Sequence, residues 1–130
     1  MAISLICIAL LALLTISLGF YVSSCRAKNN VIYAYQDKPT DPLYKAIRAH
    51  GNSCEYVPII ALLIYILGSM NPAAWMVWCM VLATVSRFLI VWGILGFASL
   101  EKPNIGRFLG AMGTYIFGTA LCVALLLKVL

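Results

Sequence analysis

Charge is scarce in this chain. Only 10% of its 130 residues are charged and four residues are acidic, whereas a soluble domain carries roughly 25% charged residues. Hydrophobic residues make up 64% of the chain, and the mean hydropathy is +1.01. The scarcity of charge excludes a sizeable soluble domain, so we interpret the chain as one compact integral membrane unit.

Several other signals are absent. No basic segment precedes the first apolar stretch and no clear small-residue cleavage site follows it, so we expect a retained helix rather than a signal peptide. Short segments of alternating hydrophobicity, which a membrane β-barrel requires, do not occur. The apolar stretches also lack the polar face that helices of a soluble bundle keep. No basic face with interleaved aromatics lies outside them, so nucleic acid is not an expected partner.

Four apolar stretches are present, each near the roughly 20 residues that cross a bilayer as a helix. They predict helices at about residues 3–26, 43–67, 73–98 and 106–129. The predicted fold class is therefore all-α, a single-domain integral membrane four-helix bundle over residues 1–130. Asp41-Pro42 predicts the N-cap of the second helix. In the fourth, Gly106, Gly110, Thr114 and Gly118 predict a close helix interface within or between subunits.

The five cysteines match neither a zinc motif nor a CxxC redox pair, so no metal site is expected. Basic residues are distributed unevenly. The loops between helices one and two and between helices three and four carry seven Lys or Arg residues, and the opposite side carries one, Lys128. By the positive-inside rule this bias places both basic loops in the cytoplasm and both termini outside.

Polar residues open the second apolar helix. Arg48, Asn52 and Glu55 follow one another at i, i+4 and i+7, which puts them on one helical stripe. Ionisable groups at membrane depth indicate a functional site. Arg87 lies at a similar depth in the third helix, and an ion pair with Glu55 would relieve the cost of burying both charges.

Arginines of three helices are expected at the same membrane face. Arg26 ends helix one, Arg48 lies in helix two and Arg107 begins helix four. Guanidinium groups bind carboxylates or phosphates. Together with Glu55 and Asn52 they suit a small zwitterion with extra carboxylates, such as glutathione. The alternative is an arginine cluster that binds anionic lipid headgroups.

The segment from Arg48 to Pro58 resembles the signature Arg-Ala-x-x-Asn-x-x-Glu-[aromatic]-x-Pro of the MAPEG family, the membrane-associated proteins in eicosanoid and glutathione metabolism. The short chain and the His50-Gly51-Asn52 variant look most like a bacterial member, which implies a bacterial inner membrane. The resemblance implies a homotrimer of four-helix bundles with sites between subunits near the cytoplasmic face.

The resemblance also implies residue roles. Glutathione would be the co-substrate, and a hydrophobic small molecule reaching the site from the lipid would be the second one. Arg107 matches the arginine that activates the thiol, and the positions implied to bind glutathione are Arg26, Arg48, His50, Asn52, Glu55 and Tyr56. One departure concerns helix three, where Ile90 and Ile94 stand at positions that are tyrosines in conjugating members.

Two functions remain open from the sequence. The first is a glutathione transferase or peroxidase acting on hydrophobic electrophiles. The second is a non-catalytic scaffold of the same fold that binds lipid or another ligand, and the two isoleucines favour it. A small transporter is disfavoured because inverted repeats with broken helices are not visible.

Overall fold

Four long helices form the molecule. The structure, a computed structural model, describes residues 1–33 and 35–130, with helices α1 (Ala2–Lys28), α2 (Pro42–Ser69), α3 (Ala74–Leu95) and α4 (Ile105–Val129). Even α3, with 22 residues, is about 33 Å long, which exceeds the roughly 30 Å hydrocarbon core of a bilayer. All four are apolar enough to span a membrane. The predicted class, an all-α membrane four-helix bundle, is confirmed.

Helix α3 ends earlier than the apolar pattern suggests. The pattern continues to Ala98, yet the helix stops at Leu95 and Gly96 is its C-cap, with the Gly96 N–H donating to the Trp92 carbonyl at 2.8 Å. The next carbonyl, that of Phe97, accepts a hydrogen bond from Lys45 Nζ of α2 at 2.8 Å. The chain therefore leaves the helix three residues before the apolar pattern ends, and the bond from Lys45 holds the segment that follows.

Two helices begin at side-chain caps. The Asp41 carboxylate accepts the Tyr44 N–H at 2.7 Å and Pro42 occupies the first turn of α2, so the predicted N-cap is confirmed. At α4, Asn104 Oδ1 accepts the Arg107 N–H at 2.9 Å. Each cap satisfies a backbone donor that the helix leaves unpaired at its start.

Helices α2 and α3 form the centre of the bundle. Helix α1 packs against both, α4 packs against α3 and α2, and within the described chain no Cα atom of α1 lies within 8 Å of one in α4. Each helix places a fully buried side chain in the main core: Leu11, Ile64, Met80 and Leu121. This core lies in the half of the bundle away from the basic loops, so apolar packing holds one end while polar groups are collected at the other.

The small residues of α4 do not all serve one interface. A Cβ added to Gly110 would lie 2.7 Å from the Ile90 Cα, so α3 and α4 approach backbone to backbone there. Thr114 is buried one turn later, whereas a Cβ added to Gly118 would meet no atom within 4 Å. The predicted close interface is therefore intrasubunit for the first part of the stripe and ends before Gly118.

Candidate functional site

A cavity of about 320 Å³ opens at the basic end of the bundle. Helix α2 contributes Arg48 and Asn52, and α4 contributes Arg107. The rest of the lining comes from α3, the loop before α4 and the start of α4: Ile90, Ile94, Leu100, Pro103, Asn104, Phe108 and Ala111. Three of the residues predicted to bind one ligand thus meet around one cavity.

Arg107 is held from two sides. Its backbone N–H donates to Asn104 Oδ1, while Asn104 Nδ2 donates to the Gly93 carbonyl of α3 at 2.9 Å. Its guanidinium donates through Nη1 to the Leu100 carbonyl at 2.9 Å. A guanidinium carries five N–H donors, so this single bond fixes its direction and leaves donors for a ligand.

Arg87 is the most deeply buried charged group of the described chain, with 0% of its surface exposed. Its Nη2 donates to both the backbone carbonyl and the Oδ1 of Asn52, at 3.0 and 2.6 Å, and its Nη1 donates to Thr114 Oγ1 at 3.3 Å. The expected partner Glu55 is exposed on the chain and accepts none of these bonds. Asn52 lies three residues before Glu55 on the same stripe of α2, and its two oxygens are the acceptors of Arg87 Nη2.

Glu55 and Tyr56 belong to a second cavity. It measures about 330 Å³, lies between α2 and α4, and is otherwise mostly apolar, with Ile59, Ile60 and Leu63 in its wall. The Arg87 guanidinium carbon lies 5.1 Å from the centre of the Tyr56 ring, and the Tyr56 hydroxyl is 3.5 Å from that of Tyr115. A cation over an aromatic face is attracted by the ring quadrupole.

The two cavities share a polar wall. Asn52 lines the first cavity, Thr114 lines the second, and Arg87 bonds to both. The predicted helix-two stripe is therefore divided: Arg48 and Asn52 face one cavity, and Glu55 and Tyr56 face the other.

Arg26 and His50 lie away from these cavities. Arg26 donates to the Ile32 carbonyl in the loop that follows α1, and its Nε is buried without a partner. His50 Nε2 lies 3.4 Å from Cys54 Sγ and faces Gly19 of α1. Successive helical residues are 100° apart, so His50 points about 200° away from Arg48. A single chain does not bring either residue to the cavity of Arg48.

Ile90 and Ile94 are both buried and both line the first cavity. The wall that they form offers methyl groups where a tyrosine would offer a hydroxyl. The wall is apolar at these two positions because the chain has isoleucines there and not tyrosines.

Three residues of the site were not predicted from the sequence. Asn104 could have been found, because an asparagine just before an apolar helix is an N-cap signal. The sequence predicts Thr114 only as a small residue of a helix interface. That its hydroxyl accepts from Arg87 depends on where Arg87 lies in the bundle. Tyr115 carries no sequence signal of its pairing with Tyr56, since the contact joins distant segments.

The arrangement suits an anionic organic ligand. Two guanidinium groups and two carboxamides line a cavity that has an apolar wall. Among residues 1–33 and 35–130, no group of three His, Cys, Asp or Glu side chains is placed to hold a metal ion.

Comparison with known proteins agrees with this architecture. The family model described as the MAPEG family matches residues 4–127, nearly the whole length of the chain. No curated protein matches the chain. The extent of the family match and the four membrane-spanning helices lead to one conclusion: this multi-pass integral membrane protein belongs to the MAPEG family.

Proposed function

We propose that the protein binds glutathione at the cytoplasmic face and conjugates it to hydrophobic electrophiles. The observation that carries the proposal is the convergence of Arg48, Asn52 and Arg107 on one cavity. The cavity volume of about 320 Å³ lies at the lower end of the roughly 300–1,000 Å³ range of small-ligand sites. Glutathione, a tripeptide, would also need contacts outside this cavity.

The ligand chemistry matches the lining. Glutathione carries two carboxylates, which guanidinium groups bind through paired charge-assisted hydrogen bonds. Its ammonium needs an acceptor. Glu55 is an exposed carboxylate one turn beyond Asn52 and lines the second cavity, so a ligand that uses it would extend past the first cavity. Glutathione is a cytosolic thiol, and the basic loops, which we place in the cytoplasm, flank the mouth of the cavity.

Arg107 is the residue that we assign to the thiol. A cation near the sulfur favours the thiolate, and lowering a thiol pKa by one unit requires about 1.4 kcal/mol. The thiolate then attacks the electrophilic carbon, a carbon–sulfur bond forms, and the leaving group departs with the bond pair. With an organic hydroperoxide, two glutathione molecules are oxidised to the disulfide while the peroxide is reduced to an alcohol and water.

The site would be completed by a neighbouring subunit. Arg26 and His50 point away from the cavity of their own chain, and the family resemblance implies a homotrimer with sites between subunits. In such an assembly these two residues would face the cavity of the next chain. Hydrophobic electrophiles concentrate in the lipid and would enter from the side.

A titration of the detergent-solubilised protein with glutathione tests the binding claim. We expect the unfolding temperature to rise at millimolar glutathione in the wild type and not in Arg48→Ala. Lys102→Ala, a change of charge in the loop at the same face, is the matched control and should keep the rise. Conjugation of 1-chloro-2,4-dinitrobenzene then tests turnover. Absence of any rise in the wild type would end the proposal.

Mixed assemblies test the shared site. Arg26→Ala and Arg48→Ala chains, each of which we expect to be inactive alone, are co-expressed with different tags. If each site takes Arg48 from one chain and Arg26 from its neighbour, about a quarter of the sites in a random mixture are intact. Conjugation by the mixture supports sharing, and continued inactivity places both residues in the site of one chain.

A second function is favoured by one observation. Ile90 and Ile94 both line the cavity, so α3 offers no hydroxyl to a reacting thiolate. A scaffold that binds glutathione or an anionic lipid without catalysis fits this wall. Stabilisation by glutathione without turnover would select this scaffold.

A further inference from the structure

We propose that Arg87 is a positioning residue that fixes the orientation of the Asn52 side-chain amide, so that the ligand group seated at Asn52 must be a hydrogen-bond acceptor. The inference rests on the proposed function for the identity of the ligand. It rests on this structure alone for the orientation of the amide.

The contact has one chemically possible polarity. A guanidinium donates hydrogen bonds and accepts none. The Asn52 atom 2.6 Å from Arg87 Nη2 must therefore be the oxygen. The same nitrogen also donates to the Asn52 backbone carbonyl at 3.0 Å, so Arg87 bonds to both the side chain and the main chain of Asn52.

The Arg87 side chain is held by further contacts. Arg87 is fully buried, its Nη1 is bonded to Thr114 on α4, and Thr114 in turn donates to the Gly110 carbonyl at 2.7 Å. The face of Tyr56 covers the guanidinium. Turning the Asn52 amide over would place an NH₂ group against this cation and lose the bond.

The Asn52 NH₂ group is left for a ligand. Asn52 lines the first cavity, and its side-chain oxygen accepts a hydrogen bond from Arg87. The buried side-chain atoms without a partner in the described chain are Arg26 Nε, Ser53 Oγ and Arg87 Nε, so Asn52 Nδ2 is not sealed in the core. Its two N–H donors match a carboxylate or a peptide carbonyl and reject an ammonium.

The substitution Asn52→Asp separates the two halves of this inference. The carboxylate keeps an oxygen toward Arg87 and adds a negative charge beside a buried cation whose Nε has no acceptor. It removes both donors toward the ligand. We therefore expect the ligand-free variant to unfold at the wild-type temperature or a few degrees above it, with glutathione binding weakened by about tenfold or more.

Asn104→Asp is the matched control. Asn104 lines the same cavity, but both ends of its amide already bond within the protein, since Oδ1 accepts from Arg107 and Nδ2 donates to Gly93. The same charge added there should lower the unfolding temperature, because the donor to Gly93 is lost. It should weaken glutathione binding less than Asn52→Asp.

Arg87→Gln completes the test. Glutamine accepts as well as donates, so it no longer dictates how Asn52 is turned. In this background Asn52→Asp should lower the unfolding temperature, reversing its effect in the wild type, and Arg87→Gln alone should weaken glutathione binding. A purely structural role for Arg87 would give the reversal but leave glutathione binding by Arg87→Gln unchanged.

The outcomes are separable. The inference is overturned if Asn52→Asp lowers the unfolding temperature of the ligand-free protein as much as Asn104→Asp does. It is also overturned if Asn52→Asp binds glutathione as tightly as the wild type. If the wild type itself does not bind glutathione, the proposed function fails, while the ligand-free unfolding temperatures still decide whether Arg87 orients Asn52.

Discussion

Gly110 of α4 lies against the backbone of Ile90 of α3, so closely that a Cβ on Gly110 would be 2.7 Å from the Ile90 Cα. Ile90 is a wall residue of the cavity that holds Arg48 and Arg107. The distance between two helix backbones thereby sets the position of the cavity wall, and a glycine is what permits that distance.

Gly110→Ala should destabilise the protein by about 1–3 kcal/mol, because a main-chain atom of α3 cannot move aside without shifting the helix. Gly118→Ala is the matched control, since no atom lies within 4 Å of its added Cβ. Unfolding in detergent measures both. Equal unfolding temperatures for the two variants would contradict the close approach.

Asn104→Ala should lose about 1–2 kcal/mol of stability, since it removes both the cap of α4 and the bond to the Gly93 carbonyl. Asn104→Asp keeps an acceptor for the Arg107 N–H and should lose less. Because Arg107 lies in the first turn of α4, we also expect weaker glutathione binding in the alanine variant. Similar stability losses in the two variants would show that the cap contributes little.

Arg107→Ala should shift the pH profile of conjugation to higher pH. The cation lowers the pKa of the bound thiol, so the thiolate forms at lower pH when Arg107 is present and needs a higher pH when it is absent. A shift of about one pH unit corresponds to about 1.4 kcal/mol. Arg107→Lys keeps a positive charge and should shift the profile less. An unchanged profile in the alanine variant would remove Arg107 from the thiol.

Ile94→Tyr should raise the conjugation rate above that of Ile94→Phe. Both variants add a ring to the cavity wall, and the tyrosine alone adds a hydroxyl that can donate to a thiolate. We choose Ile94 because the backbone of Ile90 is pressed against Gly110. Steady-state rates at saturating glutathione compare the pair, and equal rates would show that the missing hydroxyl does not limit turnover.

Alkaline phosphatase fused after Leu130 should be active in bacteria, because that enzyme folds with its disulfides only outside the cytoplasm. A fusion truncated after Lys102 should be inactive. The expectation follows from seven basic residues flanking one pair of loops against one on the other side. The opposite pattern would invert the orientation and place the cavity mouth outside.

The sequence predicted the four helices well because hydrophobicity sets the length of a membrane helix, and Asp41-Pro42 marked a start that the structure confirms. It predicted one site formed by Arg26, Arg48, Asn52, Glu55 and Arg107. The single chain brings Arg48, Asn52 and Arg107 to one cavity, whereas Glu55 lies in the second cavity and Arg26 in neither. It predicted Glu55 as the partner of Arg87, whereas the acceptor is Asn52. The two residues are three positions apart on α2 and lie at a similar depth on the same stripe. The rotation of α2 relative to α3, which the sequence does not give, decides which of them contacts Arg87. The contact of Lys45 with the Phe97 carbonyl, just after the end of α3, likewise joins distant segments and carries no sequence signal.

Leu100 connects two parts of the basic face through its own peptide groups. Its N–H donates to the Pro39 carbonyl of the first loop at 3.0 Å, and its carbonyl accepts from the Arg107 guanidinium at 2.9 Å. An anion that draws Arg107 away from Leu100 would weaken the second bond, and Leu100 is also the residue that anchors the first loop. Binding of a ligand in the cavity should then be detectable by limited proteolysis, as faster cleavage near Lys38.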